Sequence, residues 1–252
     1  MILERQRRGG VEILTLNRPE ARNAFNPELS LAVYRAFEEL DADPAVQAVV
    51  LTGAGEHSFS AGADLKSLAT GTWTPDMISL VQVCARGLAK PLIAAVNGTC
   101  LAGGLELALT CDLIVAVEQA IFGLPEVKRG LVAGAGGVTR VCQRIGLAPA
   151  LEIVLTGDPI DAPRALALGL INRVVPRAAL LDTAIALAER IAENAPVALR
   201  LAKRLAHDVI GASEAEANEL NRVVLETIRQ TEDALEGPRA FAEKRKPVWK
   251  GR

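Results

Sequence analysis

The chain has 252 residues, half of them hydrophobic, and a formal net charge of −2. That length holds one large domain or one domain with an appendage, and the apolar half suffices for a sizeable core, although only 3% of residues are aromatic and Ala, Leu and Val must do most of the filling. The near-neutral balance excludes a global attraction for nucleic acid or an anionic membrane.

Taken in order, "MILERQRRGGVEILTLN" passes almost directly into strand-like alternation, with a strand over 11–17 and no room for a signal peptide. "PELSLAVYRAFEELDAD" (27–43) has helical spacing with Pro27 at its start. Strand-like runs follow at 45–53, 91–98 and 111–120, with a helical stretch expected over 75–90. After about Gly137 helical patterns dominate, in "GVTRVCQRIG", "APALEIVLTG", "DAPRALALG", "LLDTAIALAERIAEN" and "SEAEANELNRVVLETIRQTEDALEG", interrupted by one short strand in "INRVVP". No low-complexity linker or convincing sequence repeat separates the halves, which predicts a β-rich N-terminal core packed with a helical C-terminal part. No apolar run reaches membrane-spanning length without a glycine or charge. Cys84, Cys100, Cys111 and Cys142 have no CxxC spacing, and three lie in apolar runs, so the expected compartment is a reducing cytoplasm. His57 and His207 are the only histidines, which rules out a multi-histidine metal site. The ending "EKRKPVWKGR" is a candidate local basic patch, with a solvated tail as the plainer alternative.

One stretch does not fit a plain interior. "AGGLELALTCDLIVAVEQAIFGLPE" is mostly apolar yet carries Glu106 and Glu126. A first-turn glutamate is commonly held by the helix dipole or by free backbone N–H groups, and Lys128 or Arg129 could neutralise Glu126. Against that stands a functional reading: carboxylates in a desolvated pocket acquire raised pKa values and can exchange protons, one delivering while the other receives. The Gly103-Gly104 start of a helix exposes N–H groups that could polarise a carbonyl, and "FSAGADLKSL" offers a second donor.

Here "NRPEARNAF", "GEHSFSAGADLKSL", "AAVNGTCLAGGLELALTCDLIVA", "FGLPEVKRGL", "GAGG" and "EGPRAFAEKRKPVW" occur in order, and together they resemble the crotonase superfamily, the enoyl-CoA hydratases and isomerases, from Val11 to Trp249. The resemblance implies an α/β fold, a spiral of ββα units over residues 1–196, with a C-terminal helical oligomerisation region over 197–252 that builds homotrimers or homohexamers. It implies an acyl-CoA thioester as substrate, with no separate cofactor, metal, nucleic-acid or membrane partner. By the same resemblance Ala63 and Gly103 are the oxyanion-hole donors. Glu106 activates water and Glu126 protonates carbon 2. Arg22, Ala61, Asp64, Leu65, Phe241 and Lys244 contact CoA, the last two often from a neighbouring subunit. For Lys244 an ordinary solvated lysine is the alternative.

The chain departs from the family pattern in three places. It has Ala102 where many hydratases have glycine, a mild change that should leave Gly103 intact. The stretch after "ADLK" is shorter and less charged, which bears on acyl length, and Lys128 and Arg129 stand where other members differ. Competing functions are a Δ3–Δ2 enoyl-CoA isomerase, a CoA-ester hydrolase or carbon–carbon lyase, a Ser60–His57 hydrolase lacking the GxSxG turn, and an acyl-CoA-binding or RNA-associated protein with lapsed catalysis.

Overall fold

The structure, a computed structural model, describes residues 1–69, 74 and 77–252. An antiparallel hairpin, β1 (Leu3–Arg8) and β2 (Val11–Leu16), opens the chain. It leads to α1 (Pro27–Ala42), whose start is set by Pro27 and by the Asn26 side chain accepting the Leu29 N–H. Three units then follow the same plan. The first is β3 (Ala48–Gly53) and β4 (Ser58–Ser60) with α2 (Leu65–Ala69) and α3 (Leu80–Arg86), and the second is β5 (Leu92–Val96), β6 (Thr99–Leu101) and α4 (Gly103–Thr110). The third is β7 (Leu113–Val117) and β8 (Ile121–Gly123), a 3-10 turn over Pro125–Arg129, and α5 (Gly137–Ile145). The first strand of each unit joins one parallel stack, β2-β3-β5-β7, and the second joins another, β4-β6-β8. This is the repeated ββα spiral, which no sequence repeat announced.

The remainder is α6 (Leu147–Thr156), β9 (Ile160–Asp161) on β8, α7 (Ala162–Ala167), β10 (Arg173–Val175) on β7, and α8 (Leu180–Ala192) laid across β2, β3, β5 and β7. Helices α9 (Pro196–Asp208), α10 (Glu214–Arg229) and α11 (Glu232–Ala242) complete the chain. The main apolar cluster takes no described side chain beyond Ala192. Four of the five phenylalanines, Phe25, Phe37, Phe59 and Phe122, are fully buried in it, so the few aromatics serve the interior.

Several expectations are corrected. The helix expected over 75–90 is α3, fixed at its start by a Ser79/Gln82 capping box and stopped at Gly87, whose φ is 58°. Residues 75 and 76 lie outside the described set, as do 70–73 of the stretch after "ADLK". The run 213–237 breaks at Thr231, whose side chain caps α11. The terminal segment is not a free tail: Asp233 accepts the N–H groups of Lys250 at 2.6 Å and Gly251 at 2.9 Å, and the Trp249 indole donates to the Glu193 carbonyl. Among the described residues no helix is long and apolar enough to cross a membrane, and no cluster suits a metal ion. Cys84, Cys100 and Cys111 are buried free thiols, and burial pushes that of Cys84 up to about 12.

Candidate active site

The site begins where α4 butts against the chain leaving β4. A Cβ on Gly104 would lie 2.1 Å from the Ser60 carbonyl oxygen, and one on Gly62, where φ is +88°, would lie 2.5 Å from the Gly103 nitrogen. Only glycine permits this backbone approach. It is held from the other side by the Phe25 N–H donating to the Gly62 carbonyl and the Asp64 N–H donating to that of Phe25. The N–H groups of Ala63 and Gly103 find no acceptor among the described residues. They are neighbours, since a Cβ on Gly103 would stand 3.4 Å from the Ala63 nitrogen. Both residues line a cavity of about 510 Å³.

Ala102, just before α4, has φ 53° and ψ −131°, a region that a side chain enters with strain. The replacement of glycine there is therefore not mild for the backbone, although it leaves Gly103 in place.

Glu106 and Glu126 line the same cavity. Glu106 is 4% exposed. Its Oε1 accepts the N–H of Ala135 at 2.7 Å and of Gly137 at 2.8 Å. The first-turn expectation is thus half right: backbone N–H groups do hold the carboxylate, but they come from the start of α5 and not from its own helix. Burial pushes its pKa up, against the two N–H bonds and the Arg140 charge. Glu126 has a buried Oε2 without a partner among the described residues. Its pKa is raised by burial and then by the negative charge of Glu106, with Arg129 opposing. Lys128 does not neutralise it, because that ammonium pairs with Asp158, and Arg129 donates weakly to the Pro125 carbonyl at 3.4 Å. Two carboxylates with raised pKa values therefore share one mainly apolar cavity with two free N–H donors, an arrangement suited to moving protons beside a polarised carbonyl.

Comparison with known proteins agrees. The sequence model of the enoyl-CoA hydratase/isomerase family matches residues 6–252. The chain belongs to that family. A carnitinyl-CoA dehydratase from Salmonella agona is 41% identical over 260 residues, spanning 98% of this chain and 97% of its own. An enoyl-CoA hydratase from Bacillus anthracis superposes with a TM-score of 0.94 at 35% identity over all of both chains. A carnitinyl-CoA hydratase from Mycobacterium avium is 49% identical with a TM-score of 0.77, over 100% of this chain and 99% of that one. The names of these relatives denote hydro-lyases, and the chain is an enzyme of that type.

Other expected residues of this crotonase-family enzyme divide in two. Arg22, Ala61 and Leu65 line the cavity, and Arg22, at φ 53°, uses its carbonyl to accept the Ala61 N–H. Asp64 does not line it. Its carboxylate pairs with Arg18 at 3.1 Å and accepts the N–H groups of Lys66 and Ser67 at the start of α2. Phe241 is 87% exposed near the end of α11, and Lys244 follows in a left-handed conformation; neither lines the cavity of its own chain. Ser60 cannot serve a hydrolase dyad, being buried with its hydroxyl bonded to the Asn23 carbonyl and the Gly62 N–H, while His57 sits in an exposed bend. The sequence does not show the specific donors Ala135 and Gly137 within "GAGG", nor Leu80, which lines the cavity, nor Arg140, whose charge acts on Glu106.

Proposed function

We propose that the protein catalyses the reversible addition of water to a 2-enoyl-CoA thioester, giving a 3-hydroxyacyl-CoA. The observation that carries this reading is the pair Glu106 and Glu126 in one cavity with the N–H groups of Ala63 and Gly103, which have no acceptor among the described residues. With the thioester oxygen on those two donors, electron density leaves carbon 3 and an enolate at carbon 2 is stabilised. Glu106 is fixed through Oε1, and no described donor takes its Oε2, which is left to accept a proton from water as that water attacks carbon 3. Glu126 delivers a proton to carbon 2. The negative charge of Glu106 favours the protonated form of Glu126, so the two carboxylates support opposite roles at one pH. A Δ3–Δ2 isomerase needs only one proton carrier, and the second carboxylate favours hydration.

At the entrance Arg22, Ala61 and Leu65 receive the CoA moiety. Phe241 on α11 and Lys244 just beyond it, both exposed, support contact with the adenine end from a neighbouring subunit in a homotrimer or homohexamer. The test follows loss of the enoyl-thioester ultraviolet absorbance of crotonyl-CoA. The wild type should consume it, and Glu106→Gln should be slower by about 10²- to 10⁴-fold. Equal rates for the two proteins would remove Glu106 from the mechanism.

A further inference from the structure

Resting on the role given to Glu106 above, we propose that Arg140 is a positioning residue for hydration, a clamp that ties the α5 start and α3 together and thereby fixes the water-activating carboxylate. Arg140 lies in the first turn of α5 and is only partly buried. Its Nη1 donates to the Ala135 carbonyl at 2.6 Å and its Nη2 to the Cys84 carbonyl at 3.0 Å. Ala135 is the residue whose N–H holds Glu106 Oε1 on the other side of the same peptide segment. One guanidinium therefore grips the loop that grips the carboxylate. Its second arm reaches α3, the helix that carries Leu80 against Gly103: a Cβ on Gly103 would meet Leu80 Cδ2 at 2.3 Å. Acyl-cavity wall and carboxylate holder are thus joined through one side chain, and the planar fork of arginine suits two divergent carbonyls better than the point charge of lysine.

The loop itself is shaped around the clamp. Gly136 has φ 93°, and a Cβ there would lie 2.4 Å from Arg140 Nη1, so this glycine leaves room for the guanidinium. The clamp also acts through charge. Glu106 is faced by Arg140 from α5, by Glu126 from the 125–129 turn with Arg129 behind it, and by the neutral Cys84 thiol from α3. Of the two cations, Arg140 is the one that holds the Glu106 pKa down. Removing it lets burial raise that pKa further, so the acid limb of hydration must move to higher pH.

The experiment compares wild type, Arg140→Gln and Arg140→Lys by crotonyl-CoA hydration across pH, with circular dichroism and thermal melts on each. Arg140→Gln should lose about 10- to 100-fold in kcat, the loss expected for a charge-assisted hydrogen bond. KM should stay within about 3-fold, as for an interaction that matters chiefly in the transition state, and the acid limb should move up. Arg140→Lys should restore the acid limb and recover part of kcat. A merely structural arginine would lower the melting temperature without moving the acid limb, and a folded Arg140→Gln enzyme with an unmoved limb overturns the proposal. Should Arg140→Gln not fold, Arg140→Lys decides: lowered kcat with an unmoved limb upholds the clamp, and wild-type kcat overturns it. A wild type inert towards crotonyl-CoA would instead contradict the proposed hydration, and Arg140 would then have no such carboxylate to position.

Discussion

Gly137→Ala isolates the contact on which Glu106 depends. Gly137 is not in a left-handed conformation, so alanine is acceptable to the backbone and the question is one of space. The new methyl carbon would stand 2.8 Å from Glu106 Cγ, 3.0 Å from Oε1 and 3.1 Å from Leu124 Cδ2. Ordinary carbon–carbon contact is about 3.5 Å, so Glu106 must retreat by about 0.7 Å. The Ala135 and Gly137 N–H bonds to Oε1, now 2.7 and 2.8 Å, cannot both survive that movement at normal length. A misplacement approaching 1 Å costs up to about 10²-fold in rate, so kcat should fall by about 30- to 100-fold. Stability should respond much less. Overpacking costs about 1–3 kcal/mol, and alanine for glycine in a helix returns up to about 1 kcal/mol. The melting temperature should then drop by no more than about 12 °C. Crotonyl-CoA hydration and a thermal melt on one preparation check both halves. A folded Gly137→Ala enzyme with kcat within about 2-fold of wild type would refute the claim that this glycine leaves space for a fixed carboxylate.

Ala102→Gly should relieve the strain at φ 53° and raise the melting temperature by about 2–4 °C, the gain from about 1 kcal/mol, with hydration retained; a lowered melting temperature would show that the alanine methyl packs usefully. Gly104→Ala drives a methyl group to 2.1 Å from the Ser60 carbonyl, a backbone atom that cannot yield, so soluble folded protein should be lost or destabilised by more than about 3 kcal/mol in a denaturant titration. Glu106→Gln, slowed as above, should nevertheless be more stable at pH 8. Because the folded pKa lies above the ordinary 4.5, the native state holds a proton that the unfolded chain releases between those values. Stability is therefore lost as pH rises through that window. The side-chain amide carbonyl of the Glu106→Gln variant can still accept both N–H groups, so its melting-temperature advantage should shrink as pH falls and vanish below about 4.5; an advantage independent of pH would contradict the burial argument.

The two glutamates were legible because carboxylates in an apolar run demand an explanation, and the glycine pairs because a close backbone approach needs them. Their surroundings were not. Lys128 stands two residues from Glu126 but pairs with Asp158 across the turn. The groups that hold Glu106 come from Ala135 and Gly137, which sequence distance cannot place. Arg140 gives no local signal, since an arginine in a helix reads as solvated until the loop folds back beneath it. The second stack of strands escaped for a different reason: β4, β6 and β8 have three residues each, too few for a period of two to show. Strand β1, "LERQRR", is polar and exposed after Leu3, and Glu12 on β2 supplies the buried carboxylate for Arg5 and Arg7. Asp64 shows the converse, since its side chain is taken up by a helix cap and an ion pair with Arg18, neither of which its place in the motif announces.

The most direct test of the proposed reaction is incubation of the wild-type enzyme with crotonyl-CoA in deuterium oxide, followed by NMR of the acyl product. Proton delivery to carbon 2 with water addition at carbon 3 predicts 3-hydroxybutyryl-CoA bearing one deuterium at carbon 2. Deuterium at carbon 4 without a hydroxyl, or unchanged crotonyl-CoA, would contradict hydration by this pair of glutamates.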